Sequence, residues 1–134
     1  MTWMLDTNAC IRYLNGRAPL LRERIDALDE TSIVVCSVVK AELFYGAARS
    51  TDPARTLEKQ RQFLSRFLSL PFNDQAAVEY GRIRAELEGR GTPIGPNDLL
   101  IASIAVANAL TLVSHNIGEF SRVTGLSIQD WEST

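Results

Sequence analysis

Apolar and polar positions alternate along this chain in blocks that predict short strands and longer helices in turn. Four apolar runs have the length of buried strands, at positions 2–5, 32–36, 110–113 and 126–129. The stretch 93–109 is different, because residues 99–107 are apolar on every helical face except at Ser103. A helix without a polar face is typical of one that is enclosed by other elements, so we expect this helix to be central.

Amphipathic segments between the strands predict five further helices, at positions 9–14, 19–28, 38–49, 53–68 and 74–90. Ser37 is the predicted N-cap of the third segment. In the fourth segment Arg55, Lys59 and Arg66 share one face, which suits either a phosphate backbone or plain solvent. Strands that alternate with helices favour an α/β fold, here a three-layer α/β/α sandwich with a central, mainly parallel sheet, formed by one domain over residues 1–134.

Composition limits the function without identifying it. The chain has 134 residues, a net charge of −2 and a pI of about 5.4, which argues against a generic basic nucleic-acid binder but not against an enzyme with an acidic pocket. Asp6 and Asn8 interrupt any leader-like apolar stretch, and no apolar run is long enough for a bilayer, so we expect a cytoplasmic protein. The single histidine, His115, has no second histidine or cysteine at metal-binding spacing, and we interpret it as a loop residue.

Four acids stand where a parallel α/β sheet gathers functional side chains. Asp6 directly follows the first strand, Glu119 lies in the loop after the strand at 110–113, and Glu42 and Asp98 fall near the starts of helices. The carboxyl ends of parallel strands share one edge of the sheet, so these acids can converge on one pocket. Taken singly, Asp6 and Asp98 are also readable as helix caps, and Glu42 as a solvated side chain. Together they repel one another, and a hard divalent ion such as Mg²⁺ or Mn²⁺ relieves that repulsion.

Five motifs follow one another along the chain: MLDTN at 4–8, VVKAELFYGA at 38–47, PIGPNDLLIA at 93–102, SHNIGEFSRVTGL at 114–126 and QDW at 129–131. In this order they resemble the motifs of PIN domains, and more narrowly those of VapC-type toxins from bacterial type II toxin–antitoxin systems. The resemblance spans nearly the whole chain. It implies a PIN-like fold and a Mg²⁺-dependent endoribonuclease, with Mn²⁺ as a substitute, that leaves 3′-hydroxyl and 5′-phosphate ends.

The resemblance also implies roles for particular acids. By position, Asp6 and Asp98 match the metal ligands of the family, and Glu42 matches its third acid. Asn116 stands where many PIN domains carry Asp, and the sequence leaves open whether Asn116 or Glu119 completes the site. With Glu119 in that place, the expected catalytic set is four acids.

Partners follow from the same resemblance. Related toxins cut structured RNA, often a transfer RNA anticodon loop, and each is restrained by a small VapB-like antitoxin whose tail fills the groove of the toxin. We therefore expect an RNA substrate, such an antitoxin, and a homodimer within the toxin–antitoxin complex. Contact with DNA would be indirect, through the antitoxin, and no membrane is involved.

Three alternatives belong to other classes. A phosphate-accepting receiver domain needs a lysine at a late strand end, whereas Lys40 and Lys59 both lie in early helices. A haloacid-dehalogenase-like phosphatase needs a second Asp where Asn8 stands. A catalytically silent PIN-like module that acts only through protein partners stays open, and it would have no reason to bind Mn²⁺ with a loss on Asp6→Asn.

Overall fold

A computed structural model describes residues 2–133, so the first and last residues of the predicted domain range 1–134 lie outside the described part. The strands are β1 (Trp3–Leu5), β2 (Ile33–Cys36), β3 (Leu68–Leu70), β4 (Thr111–Val113) and β5 (Ser127–Gln129). The helices are α1 (Thr7–Asn15), α2 (Pro19–Ala27), α3 (Ser37–Ala48), α4 (Pro53–Leu64), α5 (Asp74–Gly89), α6 (Pro96–Ala107) and α7 (Ile117–Phe120). Within residues 2–133, no helix combines the length and the apolarity needed to span a membrane.

The strands form one sheet in the order β3-β2-β1-β4-β5, and every pairing between neighbours is parallel. The α/β prediction is confirmed, and the sheet is wholly rather than mainly parallel. The central strand β1 lies between β2 and β4, with Leu5 opposite Val113. This register brings the residues that follow the two strands, Asp6 and Ser114, side by side at the carboxyl edge of the sheet.

Helices cover both faces of the sheet. The chain moves outward from β1 to β3 on one side, then crosses to β4 and β5 on the other. Because crossovers between parallel strands are right-handed, these two opposite directions place α1 to α4 on one face and α5 and α6 on the other. At the centre of α6, residues 101–105 have no exposed surface, and the Ser103 hydroxyl donates to Leu99 O at 2.7 Å. The prediction of an enclosed central helix is confirmed.

The predicted start of α3 is wrong by one residue. The N-cap is Cys36, which has extended backbone angles, and Ser37 is already the first residue of the helix. The Ser37 hydroxyl points instead towards Leu70 O on β3, at 3.5 Å. The direct passage from β2 into α3 leaves no loop between them, so Glu42 follows the strand by only six residues.

The predicted end of α4 is also wrong. The helix ends at Leu64, and residues 68–70 pair with β2 as a strand, with Leu68 opposite Val34. Arg66 falls in the turn between them and donates to Tyr13 Oη and to Glu30 Oε1, both at 3.0 Å. It therefore does not share the basic face of α4 with Arg55 and Lys59.

Candidate active site

The carboxyl edge of β1 holds the first acid, Asp6, which is only 4% exposed. Its backbone N–H donates to Val113 O at 3.1 Å, and its Oδ1 accepts from Ala9 N at 2.8 Å. The Ser114 hydroxyl is a second hydrogen-bond partner of the same carboxylate. Asp6 therefore does cap α1, and the carboxylate that caps the helix also lies where the other acids gather.

Asp98 and Glu119 meet in front of the first turn of α6. The N-cap of α6 is Gly95, so Asp98 does not occupy the capping position. Its carboxyl group is hydrogen-bonded to Glu119. Glu119 is held in turn by Gly95 N, which donates to Oε1 at 2.7 Å, and by Asn116 Nδ2, which donates to Oε2 at 3.0 Å. Asn116 thus orients Glu119, and it is Glu119 that touches Asp98.

Glu42 reaches the site from α3 and is held at both oxygens. The Thr7 hydroxyl donates to Oε1, and Asn97 Nδ2 donates to Oε2 at 3.3 Å. Thr7 directly follows Asp6, and Asn97 directly precedes Asp98. The third acid is therefore fixed by the immediate neighbours of the other two, and it is not a freely solvated side chain.

The pKa of Asp98 depends on the charges of the other three candidate acids. Burial, which is the largest cause, and the negative charges of Glu119, Glu42 and Asp6 together raise its pKa to about 7. Charge interactions of this kind decay with distance, so the carboxylates of Glu119, Glu42 and Asp6 lie near that of Asp98.

The pKa values of the other two shifted acids differ in direction because their surroundings differ. Burial raises the pKa of Asp6 to about 6, against the opposing hydrogen bonds from Ser114 and Ala9. The hydrogen bonds from Gly95 and Asn116 hold the pKa of Glu119 below its ordinary value. A shared pocket that contains one ionised acid beside two that resist ionisation is typical of a functional site.

The chemistry of the pocket fits a hard divalent cation. All four acids offer oxygen, the ligand that such ions prefer, and buried like charges need a counter-charge. Within residues 2–133, no three of these acids bring ligand oxygens within 4.8 Å of one another. The acids are thus gathered but not closed around one point, and we expect a bound ion to draw them together.

An apolar groove extends from the site along α1 and α3. Ile11 and Tyr45 expose 41% and 63% of their surfaces there. Ile11 and Tyr45 line a cleft that includes Glu42, and Ile11 also lines a neighbouring cleft beside Lys59. The acidic pocket therefore opens onto a surface that could bury apolar side chains of another molecule.

Sequence reasoning missed the residues that hold the acids in place. Thr7 and Asn97 bind Glu42, and the backbone of Gly95 binds Glu119. A signal was available for the first two, because a hydroxyl or an amide directly beside a strand-end or helix-start acid is free to bind a second acid. The sequence did not indicate which acid that would be.

Comparison with known proteins places this site in a family. The sequence matches the PIN domain model over residues 3–126. It is 40% identical over 131 residues to the "tRNA(fMet)-specific endonuclease VapC" of Salmonella typhimurium, covering 98% of each chain. It is 39% identical over 133 residues to "Ribonuclease VapC2" of Rickettsia felis, covering 98% of this chain and 99% of that one.

The fold agrees with solved structures of the same group. VapBC2 from Rickettsia felis, solved bound to a fragment of promoter DNA, superposes with a TM-score of 0.91 at 39% identity and covers 98% of this chain and 99% of that chain. DNA-bound VapBC from Salmonella typhimurium superposes with a TM-score of 0.92 at 40% identity and covers 98% of each. The parallel sheet with acids at its carboxyl edge defines a PIN-type nuclease fold. The chain belongs to the PIN domain family and, within it, to the VapC ribonucleases.

Proposed function

We propose that this protein is a divalent-metal-dependent endoribonuclease that acts as the toxin of a toxin–antitoxin pair. The observation that supports this most directly is that the negative charges of Glu119, Glu42 and Asp6 raise the pKa of Asp98. Four acids in one half-buried pocket destabilise a fold unless an ion offsets them, so their presence favours a catalytic role over a structural one. We further propose that residues 1–134 act as one PIN-like domain, and that the protein acts in the cytoplasm, where its RNA substrate is found.

In this proposal Asp6 and Asp98 hold the ion, Mg²⁺ first and Mn²⁺ as a substitute. Glu42 and Glu119 complete the catalytic set by orienting water or by closing the shell around the ion. When bound, the ion supplies charge stabilisation to the phosphodiester and lowers the pKa of water. Whether one ion or two bind depends on how far the acids move towards one another.

The residues of the chain do the positioning. The hydrogen bonds from Thr7 and Asn97 fix both oxygens of Glu42, so this carboxylate can accept a proton from a water molecule without first reorienting. Gly95 and Asn116 keep Glu119 ionised beside Asp98. The buried Asp6 keeps its position because it also caps α1.

A structured RNA is the proposed substrate class, with transfer RNA as the first candidate because a relative that is 40% identical is named as a tRNA(fMet)-specific endonuclease. Sequencing of RNA ends after brief expression tests this directly. We expect a small set of new 5′-phosphate ends with the native chain and none with the Asp98→Asn variant. The same pattern of ends from both chains would instead favour a catalytically silent interaction module.

The orientation of Glu42 by Thr7 gives a matched pair of variants. Thr7→Val removes the donor while keeping the shape of the side chain, and Thr7→Ser keeps the donor. We expect Thr7→Val to lose about 10–100-fold in cleavage rate and in Mn²⁺ affinity, as is usual when the support of a ligand is removed. Thr7→Ser should stay near the native rate, and equal rates for the two variants would remove Thr7 from the mechanism.

We also propose a VapB-like antitoxin as partner, because the solved relatives at 39% and 40% identity are VapBC complexes. The groove at Ile11 and Tyr45 suits the apolar side chains of its tail. The carboxylates at the end of that groove suit an arginine, which forms bidentate, charge-assisted hydrogen bonds. A homodimer within that complex, and DNA contact only through the antitoxin, belong to the same proposal.

The charge and the groove can be tested separately. Replacing the basic residues of the antitoxin tail with Gln should weaken inhibition by about 2–5 kcal/mol, because the acids are then left unpaired in the complex. Tyr45→Ala in the toxin should weaken binding of the native and the neutralised tail alike, since it alters only the apolar contact. The measurement is the inhibition constant for cleavage of one RNA. Full inhibition by the neutralised tail would contradict the proposal.

A further inference from the structure

A second cluster of possible ligands lies where β4 and β5 end, at the same edge of the sheet as Asp6. His115 is in the loop after β4, and Asp130 and Glu132 are in the segment after β5. Because Val113 lies opposite Gln129 in the parallel pairing, the residues that follow the two strands emerge side by side. One nitrogen or oxygen atom of each of the three side chains lies within 4.8 Å of the others.

We propose that His115, Asp130 and Glu132 form a binding site for a divalent ion of the late first transition row, such as Zn²⁺. Imidazole suits Zn²⁺, Ni²⁺ and Cu²⁺, whereas Mg²⁺ is bound by oxygen alone. The mixed donor set therefore selects a different ion from the one that the four acids select. This proposal does not depend on nuclease activity.

The spacing of the donor atoms is compatible with such an ion. His115 Nδ1 and Asp130 Oδ2 are 2.9 Å apart. With ligand distances of about 2.0–2.2 Å, two ligands at right angles stand about 2.8–3.1 Å apart, and two tetrahedral ligands about 3.3–3.6 Å. A six-coordinate ion fits the observed separation, and a tetrahedral one needs a small movement of an imidazole that is 59% exposed. An ion bound at Nδ1 requires the neutral tautomer of the ring, which carries its proton on Nε2.

The two carboxylates are already oriented. Glu132 N donates to Asp130 Oδ1 at 2.9 Å, and the Ser133 hydroxyl donates to Asp130 Oδ2 at 3.1 Å. The Glu132 side chain is only 8% exposed, and Arg12 donates to its Oε1. Two carboxylates against one guanidinium leave a net charge of −1 around a neutral His115, and this favours a dication.

Sequence reasoning found no partner for His115 because it searched for a second histidine or a cysteine. The partners are two carboxylates that lie 15 and 17 positions further along the chain, a separation that only the β4–β5 pairing closes. An ion here would link the loop after β4 to the segment after β5. It would also lower the negative charge of Glu132, which bears on Asp6.

The test uses protein from which any histidine tag has been removed, so that His115 is the only imidazole. Zn²⁺ is titrated in the presence of excess Mg²⁺, both into the native chain and into Asp98→Asn, in which the acidic pocket is impaired. Calorimetry measures the affinity, and NMR follows the two carbon-bound ring protons of His115. We expect one equivalent of Zn²⁺ to shift both protons and to raise the melting temperature in both proteins, as a ligand of the folded state does.

Three variants decide the outcome. His115→Gln and Asp130→Asn should each lower Zn²⁺ affinity by at least about tenfold and remove the rise in melting temperature. Glu88→Gln, which changes the same charge in an exposed ion pair on α5, should change neither. If Zn²⁺ leaves the His115 protons unmoved, or if Asp130→Asn binds as tightly as the native chain, the site is at most a lone imidazole and the proposal fails. The NMR result stands alone if Asp130→Asn does not fold.

Discussion

Asp98→Asn is expected to lose RNA cleavage by several orders of magnitude while the ion-free protein keeps or gains stability. A neutral amide is a poor ligand for a hard cation, so the proposed ion loses one of its two main ligands. Asp98 does not occupy the capping position of α6, and Asn would in any case cap about as well. Removing a charge that faces Glu119, Glu42 and Asp6 relieves repulsion by roughly 0–2 kcal/mol at an intermediate effective dielectric.

The pH dependence of stability provides a second measurement on the same variant. Burial raises the pKa of Asp98 from 3.8 to about 7, so the folded protein holds this proton more tightly than the unfolded chain does. The contribution of this proton to the free energy of unfolding is therefore fully present below pH 3.8, the pKa in the unfolded chain. It is lost as the pH rises through about 7, the pKa in the folded protein. In chelator, the native chain should therefore lose stability relative to Asp98→Asn between pH 5 and pH 8.

Asp74→Asn is the matched control. Asp74 lies in the first turn of α5, as Asp98 lies in the first turn of α6, but Asp74 is exposed and Asp98 is half-buried. Cleavage by Asp74→Asn should be unchanged, and its stability should fall between pH 5 and pH 8 as that of the native chain does, because this variant keeps Asp98. Cleavage by Asp98→Asn at a near-native rate would remove Asp98 from the catalytic set and favour a purely electrostatic or structural role.

Removal of divalent ions should abolish cleavage, and adding Mg²⁺ or Mn²⁺ should restore it. The reason is that the acids of the pocket are negatively charged and cannot themselves stabilise the charge of a phosphodiester. A divalent ion held by their oxygens supplies that stabilisation. Mn²⁺ should also raise the melting temperature of the native chain, and it should raise that of Asp98→Asn much less, because a ligand stabilises the state that it binds. Both effects can be measured on one preparation, with cleavage of a single labelled RNA beside thermal melting.

Asp98→Asn prepared in the same way controls for contaminating nucleases, since any cleavage that it shows is not due to this site. If the native chain still cleaves RNA in EDTA at an undiminished rate, above the cleavage by Asp98→Asn, the metal-dependent mechanism is wrong. His115→Gln should keep the full Mg²⁺ response, which separates this prediction from the second ion site proposed on His115.

Local rules accounted for most of the elements and for the position of two acids. The helix α5 begins at the predicted position 74, where Asn73 accepts from Ala76 N at 3.0 Å as its N-cap, because capping involves only the first turn of a helix. The apolar faces of α6 indicated that it is enclosed, since apolar periodicity reports burial directly. The place of Asp6 at a strand end followed from chain order and the common edge of parallel strands.

Contacts between distant segments decided what local rules could not. The helical pattern of α4 continues to about residue 68 in the sequence, but the helix ends at Leu64 and pairing with β2 makes residues 68–70 a strand. Strand pairing depends on a partner more than 30 positions away, so propensity within one segment carries no information about it. The same pairing removes Arg66 from the basic face of α4.

The finer structure of the site was decided in the same way. Thr7 lies 35 positions from Glu42, and Asn97 lies 55 positions from it, yet the contacts of α3 with α1 and α6 bring their polar atoms together. The orientation of Glu119 likewise depends on the loop before α6, because the Gly95 N–H binds its carboxylate. The sequence therefore determined which residues can ionise and at which ends of the elements they stand. Only the tertiary structure determined which of them share a pocket, because hydrogen bonds and charge interactions depend on distance in space and not on separation along the chain.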